Sequence, residues 1–277
     1  MADRVDETER QKYDDFQALH AGLNVSMIAT RREHFVCCHL EDSIRAVAER
    51  NESKFDFMPV VEGGEGNGHI IGIIQLDCYF EAPAPDTPVS GAYRPLHENC
   101  LIGADASILS FVKEADIRPF RLLVSDHGVV GLVGLSDLQK LPVRAALFGL
   151  VTGLEIAMTE AIQAADPNGE KWFNCISAKR QEDLRKRIED ARGKEGIVTE
   201  LLFTQFCDKR DILIRLVFSN ETARHREELE RMFKRIEDLR NDLAHANDYA
   251  ANRQHAARVC SIVRDILDAH KLIAPKA

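Results

Sequence analysis

Apolar and polar positions follow two different periods along this 277-residue chain. Between residues 26 and 140, short β-branched and aliphatic runs alternate with stretches in which apolar residues recur at helical spacing. After Pro142 only the helical period remains. Its first apolar stripe comprises Leu147, Leu150, Val151, Leu154, Met158, Ala161 and Ile162. The pattern predicts an α+β fold class, with a mixed strand and helix region followed by an all-α helical bundle.

The mixed region contains the same order of elements twice. Helix signals at residues 41–50 and 105–115 are each followed by two β-branched runs that are separated by a glycine-containing turn. The stretches MPVVEGGEGNGHIIGIIQL and FRLLVSDHGVVGLVGL align as strand, turn and strand, with Gly72 opposite Gly131. Between the copies, residues 81–95 contain four prolines and predict a loop. The sequence therefore predicts an internal duplication.

The duplicated region, residues 24–142, resembles a tandem pair of cystathionine-β-synthase-like (CBS) domains of β-α-β-β-α type. In that family the last strand of a copy reads Gly, two apolar residues, Thr or Ser, two further residues and Asp. The hydroxyl contacts a nucleotide phosphate and the Asp holds the ribose. In the second copy Gly131 and Asp137 match, whereas Gly134 occupies the hydroxyl position. The resemblance implies an adenine nucleotide as regulatory ligand, with Gly131 and Asp137 as nucleotide-binding residues.

The first copy keeps less of this pattern. Gly72 matches, but Gln75 replaces the hydroxyl residue. Cys78 stands at the aspartate position, one residue after Asp77. We therefore expect weak nucleotide binding, in the second copy only. A second interpretation of Asp137 stays open, because aspartate is a favoured N-cap residue and a helix is predicted to begin directly after it.

Chemically versatile side chains cluster in the helical region, in the stretch LRNDLAHAN at residues 239–247. A long helix is predicted here, from Thr222 to about Ala246. Its apolar stripe comprises Leu229, Met232, Ile236, Leu239 and Leu243. Arg240 falls at the edge of the stripe and His245 on the opposite face, about 140° away on an ideal helix. Both side chains can meet one small target only if Arg240 curls round, the helix is distorted or a second chain supplies half of the site.

This helical region, residues 143–277, resembles the HEPN superfamily (higher eukaryotes and prokaryotes nucleotide-binding). Its signature is Arg, usually followed by Asn, Asp or His, and then His four to six residues after the Arg. Here RNDLAH supplies Arg240, Asn241 and His245. The resemblance implies a homodimeric RNA endonuclease that requires no metal or other cofactor for catalysis. His245 would be the general acid or base, Arg240 would bind the scissile phosphate, and Asn241 would position the pair.

Two further interpretations of the helical region are open. Glu155, a polar residue on the first helix after Pro142, is an additional candidate for the same cleft. A charged helix surface also places Arg, Asn and His together without any catalytic role. The alternative function is a non-enzymatic nucleotide-binding and dimerisation module that regulates a separate partner, such as a nucleotidyltransferase.

Charge and composition limit the compartment and the partners. The net charge is −9, and residues 1–142 hold 13 Lys and Arg against 23 Asp and Glu, a net charge of −10. A chain with this net charge is not expected to bind nucleic acid non-specifically, although its second half permits a local phosphate-binding face. Residues 1–23 predict a charged arm without a signal-peptide core, and no apolar run reaches the roughly 18 residues of a membrane span. The seven cysteines show no zinc spacing. We expect a cytoplasmic protein without a metal site, whose partners are a second copy, an adenine nucleotide and RNA.

Overall fold

The computed structural model describes residues 22–63, 68–192, 200–245 and 247–274. Most of the predicted charged arm lies outside these ranges. The strands are β1 (Thr30–Arg31), β2 (Phe57–Glu62), β3 (His69–Gln75), β4 (Arg94–Pro95), β5 (Leu101–Gly103), β6 (Phe120–Ser125) and β7 (Gly128–Gly134). The α-helices are α1 (Ile44–Arg50), α2 (Ile108–Val112), α3 (Leu141–Ala165), α4 (Ala178–Arg192), α5 (Phe206–Ile212), α6 (Ala223–Ala244) and α7 (Arg253–Ile273). The predicted α+β class, with a helical second half, is confirmed.

Contacts divide the described chain into two compact units. The first unit consists of the described residues up to Arg144 and of Ala250–Cys260. The second unit consists of Ala145–Tyr249 and of the described residues from Ser261 onwards. The boundary therefore falls two residues after the predicted one. The sequence pattern does not predict that Ala250–Cys260 belongs with the first unit.

The first unit contains the duplication that the sequence predicts. In each copy an α-helix is followed by an antiparallel hairpin, α1 by β2 and β3, and α2 by β6 and β7. Both hairpins have a bulge at the matching position, between Val60 and Val61 in the first and between Leu123 and Val124 in the second. The segment before each helix pairs in parallel with the first strand of the hairpin, Cys38 with Val60 and β5 with β6. The copies therefore share a topology as well as a sequence pattern.

Each hairpin gains one further strand from the segment that precedes the other copy. Strand β1 precedes the first copy but pairs antiparallel with β7 of the second. Strand β4 precedes the second copy but pairs antiparallel with β3 of the first. The resulting sheets have the strand orders β1-β7-β6-β5 and β2-β3-β4. Because neither copy supplies the whole of its own sheet, the two copies form a single folding unit.

The matching glycines lie where these exchanged strands approach the hairpins. A Cβ atom at Gly72 would lie 2.5 Å from the carbonyl oxygen of Arg94 on β4. A Cβ atom at Gly131 would lie 3.1 Å from the carbonyl oxygen of Thr30 on β1. The glycine that both copies share therefore has a packing cause, which holds whether or not a ligand binds.

A small apolar core joins the two hairpins. Phe57 and Phe120 begin β2 and β6 respectively, and their ring centroids lie 4.8 Å apart. Ile73 and Leu122 complete this buried cluster. Aromatic pairs at such separations contribute roughly 0.5–1.5 kcal/mol beyond the burial of their surface. The ring pair thus links equivalent positions of the two copies.

Amphipathic helices form the second unit, as the helical period predicts. The buried residues of α3 include Leu147, Leu150, Val151, Leu154, Met158 and Ile162. Helix α4 buries Leu184 and Ile188, and Gly193, which is predicted to end it, lies outside the described residues. The hydroxyl of Thr222 accepts a hydrogen bond of 3.2 Å from the backbone N–H of His225. Thr222 is thus the N-cap residue of α6.

Two details of the second unit differ from the predictions. Residues 201–218 are predicted as two short helices parted near Asp208. Asp208 instead lies in the first turn of α5, where its carboxylate accepts the backbone N–H of Gln205 at 2.9 Å. In α6, Phe233 is buried and Met232 is only half-buried. The buried stripe therefore continues from Leu229 to Phe233, four residues later, and not to Met232, three residues later.

Helix α3 is more apolar over its length than the search of the sequence for a membrane span indicated. Among the described residues it is the one helix long and apolar enough to cross a membrane, judged by length and composition alone. The core helix of a globular domain passes the same test, and one face of α3 is buried within the fold. One such helix is weak evidence for a membrane span.

The close approach at Gly72 can be tested by adding a methyl group. Gly72→Ala should destabilise the first unit by roughly 1–3 kcal/mol, because the Cβ atom would push β3 away from β4. Gly134→Ala is the matched control, since its Cβ atom would meet nothing closer than the carbonyl oxygen of Pro119 at 3.7 Å. Urea unfolding followed by circular dichroism measures both. Equal losses of unfolding free energy in the two variants would contradict the close approach of β4 to Gly72.

Candidate functional site

Arg240 is held by two oxygen atoms at the edge of α6. Its Nε atom lies 3.3 Å from a carboxylate oxygen of Glu155 on α3. Its Nη1 atom donates a hydrogen bond of 3.3 Å to the side-chain oxygen of the next residue, Asn241. The Arg240 side chain is 39% exposed, so the guanidinium is positioned by the protein and still accessible to solvent. The structure thus brings together the Glu155, Arg240 and Asn241 that the sequence singled out.

His245 lies at the end of the same helix. It is the C-cap residue of α6, and its backbone N–H donates to the carbonyl oxygen of Asn241 at 3.0 Å. Its side chain is exposed. The guanidinium of Arg240 contacts Glu155 and Asn241. Neither of these contacts involves His245, although His245 lies at the same end of α6.

Further charged residues, which the sequence analysis missed, lie close to Glu155. Lys209 is buried on α5, and its ammonium donates to the carbonyl oxygen of Thr204 at 2.9 Å. Burial lowers the pKa of Lys209 below its ordinary value, and Glu155 and Asp208 oppose that shift. Glu155 is therefore shared electrostatically between two cations, Lys209 and Arg240.

Asp208 forms an ion pair in which its carboxylate is almost fully buried. Its two carboxylate oxygens accept hydrogen bonds from Nε and Nη2 of Arg180, at 2.9 and 2.6 Å. Burial favours the neutral acid, but the bonds from Arg180 and from the backbone N–H of Gln205 outweigh it and lower the pKa of Asp208. This planar two-point pair ties α4 to α5.

The two predicted nucleotide-binding residues have different surroundings. Gly131 lies within β7 and lines a large cavity of the first unit. Asp137 lies in a short 3₁₀ helix, Leu135–Gln139, that follows β7. Its carboxylate accepts the backbone N–H of Gly134 at 2.7 Å and meets the ammonium of Lys140 at 2.7 Å. Asp137 therefore stabilises the start of the short helix, which begins at Leu135 and not after Asp137.

The corresponding end of the first copy is also acidic. Asp77 accepts a hydrogen bond of 2.7 Å from the amide of Gln75 and pairs with Arg253 at 3.0 Å. Burial, followed by the charges of Asp77 and Asp137, raises the pKa of Asp56. Three carboxylates, Asp56, Asp77 and Asp137, thus influence this end of the hairpins, where Arg253 and Lys140 are their paired cations.

The described ranges contain no group of three or more His, Cys, Asp and Glu residues that could hold a metal ion.

Comparisons with known proteins point to the first unit. No protein-family model and no curated protein matches the chain. The similar solved structures include CBS domains that cover about half of this chain. The CBS domain of a bacterial CNNM/CorC family Mg²⁺ transporter in complex with ATP is 19% identical and covers 50% of this chain and 96% of its own, with a TM-score of 0.37.

Two other CBS proteins give similar values. The CBS domain of a membrane protein from Sphaerobacter thermophilus is 20% identical and covers 50% of this chain and 97% of its own, with a TM-score of 0.35. A hemolysin-like protein with a CBS domain from Oenococcus oeni PSU is 12% identical and covers 42% and 86%, with a TM-score of 0.33. All three TM-scores lie below 0.5.

The surroundings of Asp137 predict a pH dependence of stability. Burial, partly opposed by Lys140 and the N–H of Gly134, raises the pKa of Asp137 above 3.8. The protonated carboxyl group therefore contributes stability that is fully present below pH 3.8 and is lost as the pH rises through the folded pKa. Relative to Asp137→Asn, the wild type should lose stability over that rise, measured by urea unfolding from pH 4 to pH 7.

Asp126→Asn is the control for this measurement, because Asp126 is 81% exposed in the same unit. It should show no such trend relative to the wild type. A wild type that instead gains stability over Asp137→Asn with rising pH would mean that Lys140 outweighs burial.

Proposed function

We propose that the second unit is a metal-independent RNA endonuclease of HEPN type, controlled by a CBS-type unit that senses an adenine nucleotide. One observation carries the ribonuclease proposal. A solvent-accessible guanidinium, Arg240, is fixed by Glu155 and Asn241 at the end of α6, where the exposed imidazole of His245 follows. RNA cleavage without a metal can use a cation that binds phosphate and a side chain that accepts and donates a proton, and Arg and His have these chemistries.

Each side chain has a distinct part in the proposed reaction. His245 removes the proton from the ribose 2′-hydroxyl, or returns one to the leaving oxygen. Arg240 binds the scissile phosphate and stabilises the negative charge that grows in the transition state. Glu155 and Asn241 orient the guanidinium. Attack by the 2′-oxygen on phosphorus and departure of the 5′-oxygen leave a 2′,3′-cyclic phosphate end.

A second copy of the chain would complete this site. Arg240 and His245 are five residues apart at a helix end, and their separation of about 140° on an ideal helix disfavours a shared target within one chain. In a two-fold homodimer, each His245 would meet phosphate together with residues of the other copy. The dimer therefore belongs to the same proposal as the catalytic residues.

The regulatory part of the proposal concerns the first unit. Asp137 would release Lys140 or the N–H of Gly134 and hold the ribose of an adenine nucleotide, while Gly131 would allow its close approach. Gly134 supplies no hydroxyl group for a phosphate, so binding would be weak. The duplication, the exchanged strands and the positions of Gly131 and Asp137 support this proposal.

A non-enzymatic function is the second candidate. Arg240 is already paired with Glu155, and Asp137 is already paired with Lys140. Charges that are satisfied within the chain suit a structural role as well as a catalytic one. In that case the protein is a nucleotide-binding and dimerisation module that regulates a separate partner.

RNA cleavage by the purified full chain in EDTA tests the ribonuclease proposal. His245→Ala should lower the rate by roughly 10²–10⁴, the usual contribution of a general acid or base. Its stability should change by less than about 0.5 kcal/mol, because His245 is exposed. Arg240→Lys should also cleave RNA more slowly than the wild type, because an ammonium group lacks the planar fork of a guanidinium.

His225→Ala is the matched control, since His225 is a half-buried histidine, with 41% of its side chain exposed, near the start of the same helix. Its cleavage rate should equal that of the wild type. Light scattering should show a dimer at micromolar concentration. A monomer, inhibition by EDTA, or equal cleavage by His245→Ala would exclude the dimeric ribonuclease and favour the regulatory module.

Nucleotide binding by the first unit is tested by calorimetry with ATP and AMP. Asp137→Ala should weaken binding about tenfold or more, the value of a hydrogen bond to a charged group. Gly134→Ser should strengthen it by a similar factor, because the site has room for a Cβ atom and the backbone is extended there, with φ −137° and ψ 178°. Unchanged affinity in both variants would show that this end of β7 takes no part in nucleotide binding.

A further inference from the structure

Lys209 on α5 lies in an environment where lysine is rarely found. The residue is only 6% exposed, and lysine is almost never so buried unless its charge has a partner. Its ammonium donates a hydrogen bond of 2.9 Å to the backbone carbonyl oxygen of Thr204. A carbonyl oxygen carries no net charge, so a carboxylate has to compensate the buried cation.

Of the carboxylates that act on Lys209, Asp208 is already engaged. Asp208 accepts hydrogen bonds from Nε and Nη2 of Arg180, at 2.9 and 2.6 Å. Burial lowers the pKa of Lys209, and the charge of Glu155 opposes that shift more than the charge of Asp208 does. Glu155 on α3 is therefore the carboxylate that chiefly compensates the ammonium of Lys209.

The pair that Glu155 forms with Arg240 is long. Nε of Arg240 lies 3.3 Å from a carboxylate oxygen of Glu155, whereas a charge-assisted N–H to carboxylate hydrogen bond is about 2.7–2.9 Å long. In the same unit Arg180 and Asp208 form a two-point pair of the usual length. The charge of Arg240 adds to burial in lowering the pKa of Lys209, so both cations act on one another as well as on Glu155.

A second cation near a carboxylate competes with the first. When the ammonium of Lys209 attracts the carboxylate of Glu155, that carboxylate is less free to complete a two-point pair with Arg240. We infer that Lys209 is a positioning residue, which keeps the guanidinium of Arg240 available to a phosphate by restraining Glu155. Its role rests on the function proposed for Arg240, and Lys209 acts only through Glu155.

Loss of Lys209 would let Glu155 close on Arg240. The two carboxylate oxygens would then accept from Nε and Nη2, the fork that arginine and carboxylate groups favour. Nη2 is a donor that the present contacts of Arg240 with Glu155 and Asn241 do not use. A phosphate would have to displace the carboxylate from that fork, so its binding to Arg240 would weaken.

Cleavage of a single-stranded RNA by the full chain in EDTA tests this competition. Lys209→Met, which is similar in size and has no charge, should lower kcat/KM about tenfold. Adding Glu155→Gln to Lys209→Met should restore most of that loss, because a neutral amide holds a guanidinium less strongly than a carboxylate does. A lysine with only a structural role gives no such rescue, since the second substitution would then add a loss of its own.

Two further variants control the experiment. Lys186→Met removes a lysine that is 68% exposed on α4 of the same unit, and it should cleave like the wild type. Lys209→Gln keeps an N–H donor for Thr204 and removes the charge, so it should show the same loss and rescue even if Lys209→Met does not fold. Unfolding midpoints identify the folded variants. Lys209 has no positioning role if its folded variants cleave like the wild type, or if Glu155→Gln restores nothing to them.

A measurement that needs no cleavage separates this role from the ribonuclease activity. The Nε–H resonance of Arg240, observed by NMR in an isotope-labelled chain, reports the contact with Glu155. It should shift downfield in Lys209→Met as the pair shortens, and shift back when Glu155→Gln is added. This pattern in a chain that cleaves no RNA would exclude the ribonuclease and support the competition for Glu155. A resonance that Lys209→Met leaves unshifted would overturn the role of Lys209, even in a chain that cleaves RNA.

Discussion

The exchange of strands between the two repeats is the constraint on which the first unit depends. Neither hairpin of the unit has its complete sheet without β1 or β4, and each of these strands precedes the other copy. The pairing of β4 with β3 leaves no room for a side chain at Gly72. The rings of Phe57 and Phe120 pack against each other between the two hairpins. The two copies of the first unit therefore depend on each other for their sheets and form one folding unit.

Periodicity predicted the long elements of the fold, because both the helical and the strand signals are local. The duplication, the two hairpins and the buried stripe of α3 all follow from spacing alone. Strands β1 and β4 contain two residues each and are defined by pairing with distant hairpins, so a local pattern does not reveal them. The position of Ala250–Cys260 in the first unit also depends on tertiary contacts.

The candidate residues of the second unit that the sequence indicates are those whose chemistry is contiguous along the chain. Arg240, Asn241 and His245 share one short stretch, and Glu155 stands out as a carboxylate on an apolar helix. Lys209 and Asp208 read as ordinary members of a charged segment, because burial and partners are decided by packing with other helices.

For Asp137, sequence left capping and ribose binding open. The hydrogen bond from the N–H of Gly134 makes the stabilisation of the short helix a fact of the fold. Ribose binding then requires that this carboxylate share or exchange its partners. The same competition explains why a match to a motif cannot by itself assign a ligand, since the fold can use the same oxygen atoms.

The geometry at Arg240 shows that its pairing with Glu155 and Asn241 is compatible with the proposed binding of a phosphate. Glu155 meets Nε and Asn241 meets Nη1, so neither of these contacts uses Nη2. A guanidinium is a planar fork of five N–H donors, and the donors that remain can bind phosphate oxygens. Glu155 fixes the plane of the fork, while buried Lys209 offsets the negative charge that Glu155 brings to the region. The phosphodiester of the proposed reaction would therefore displace neither Glu155 nor Asn241 from Arg240.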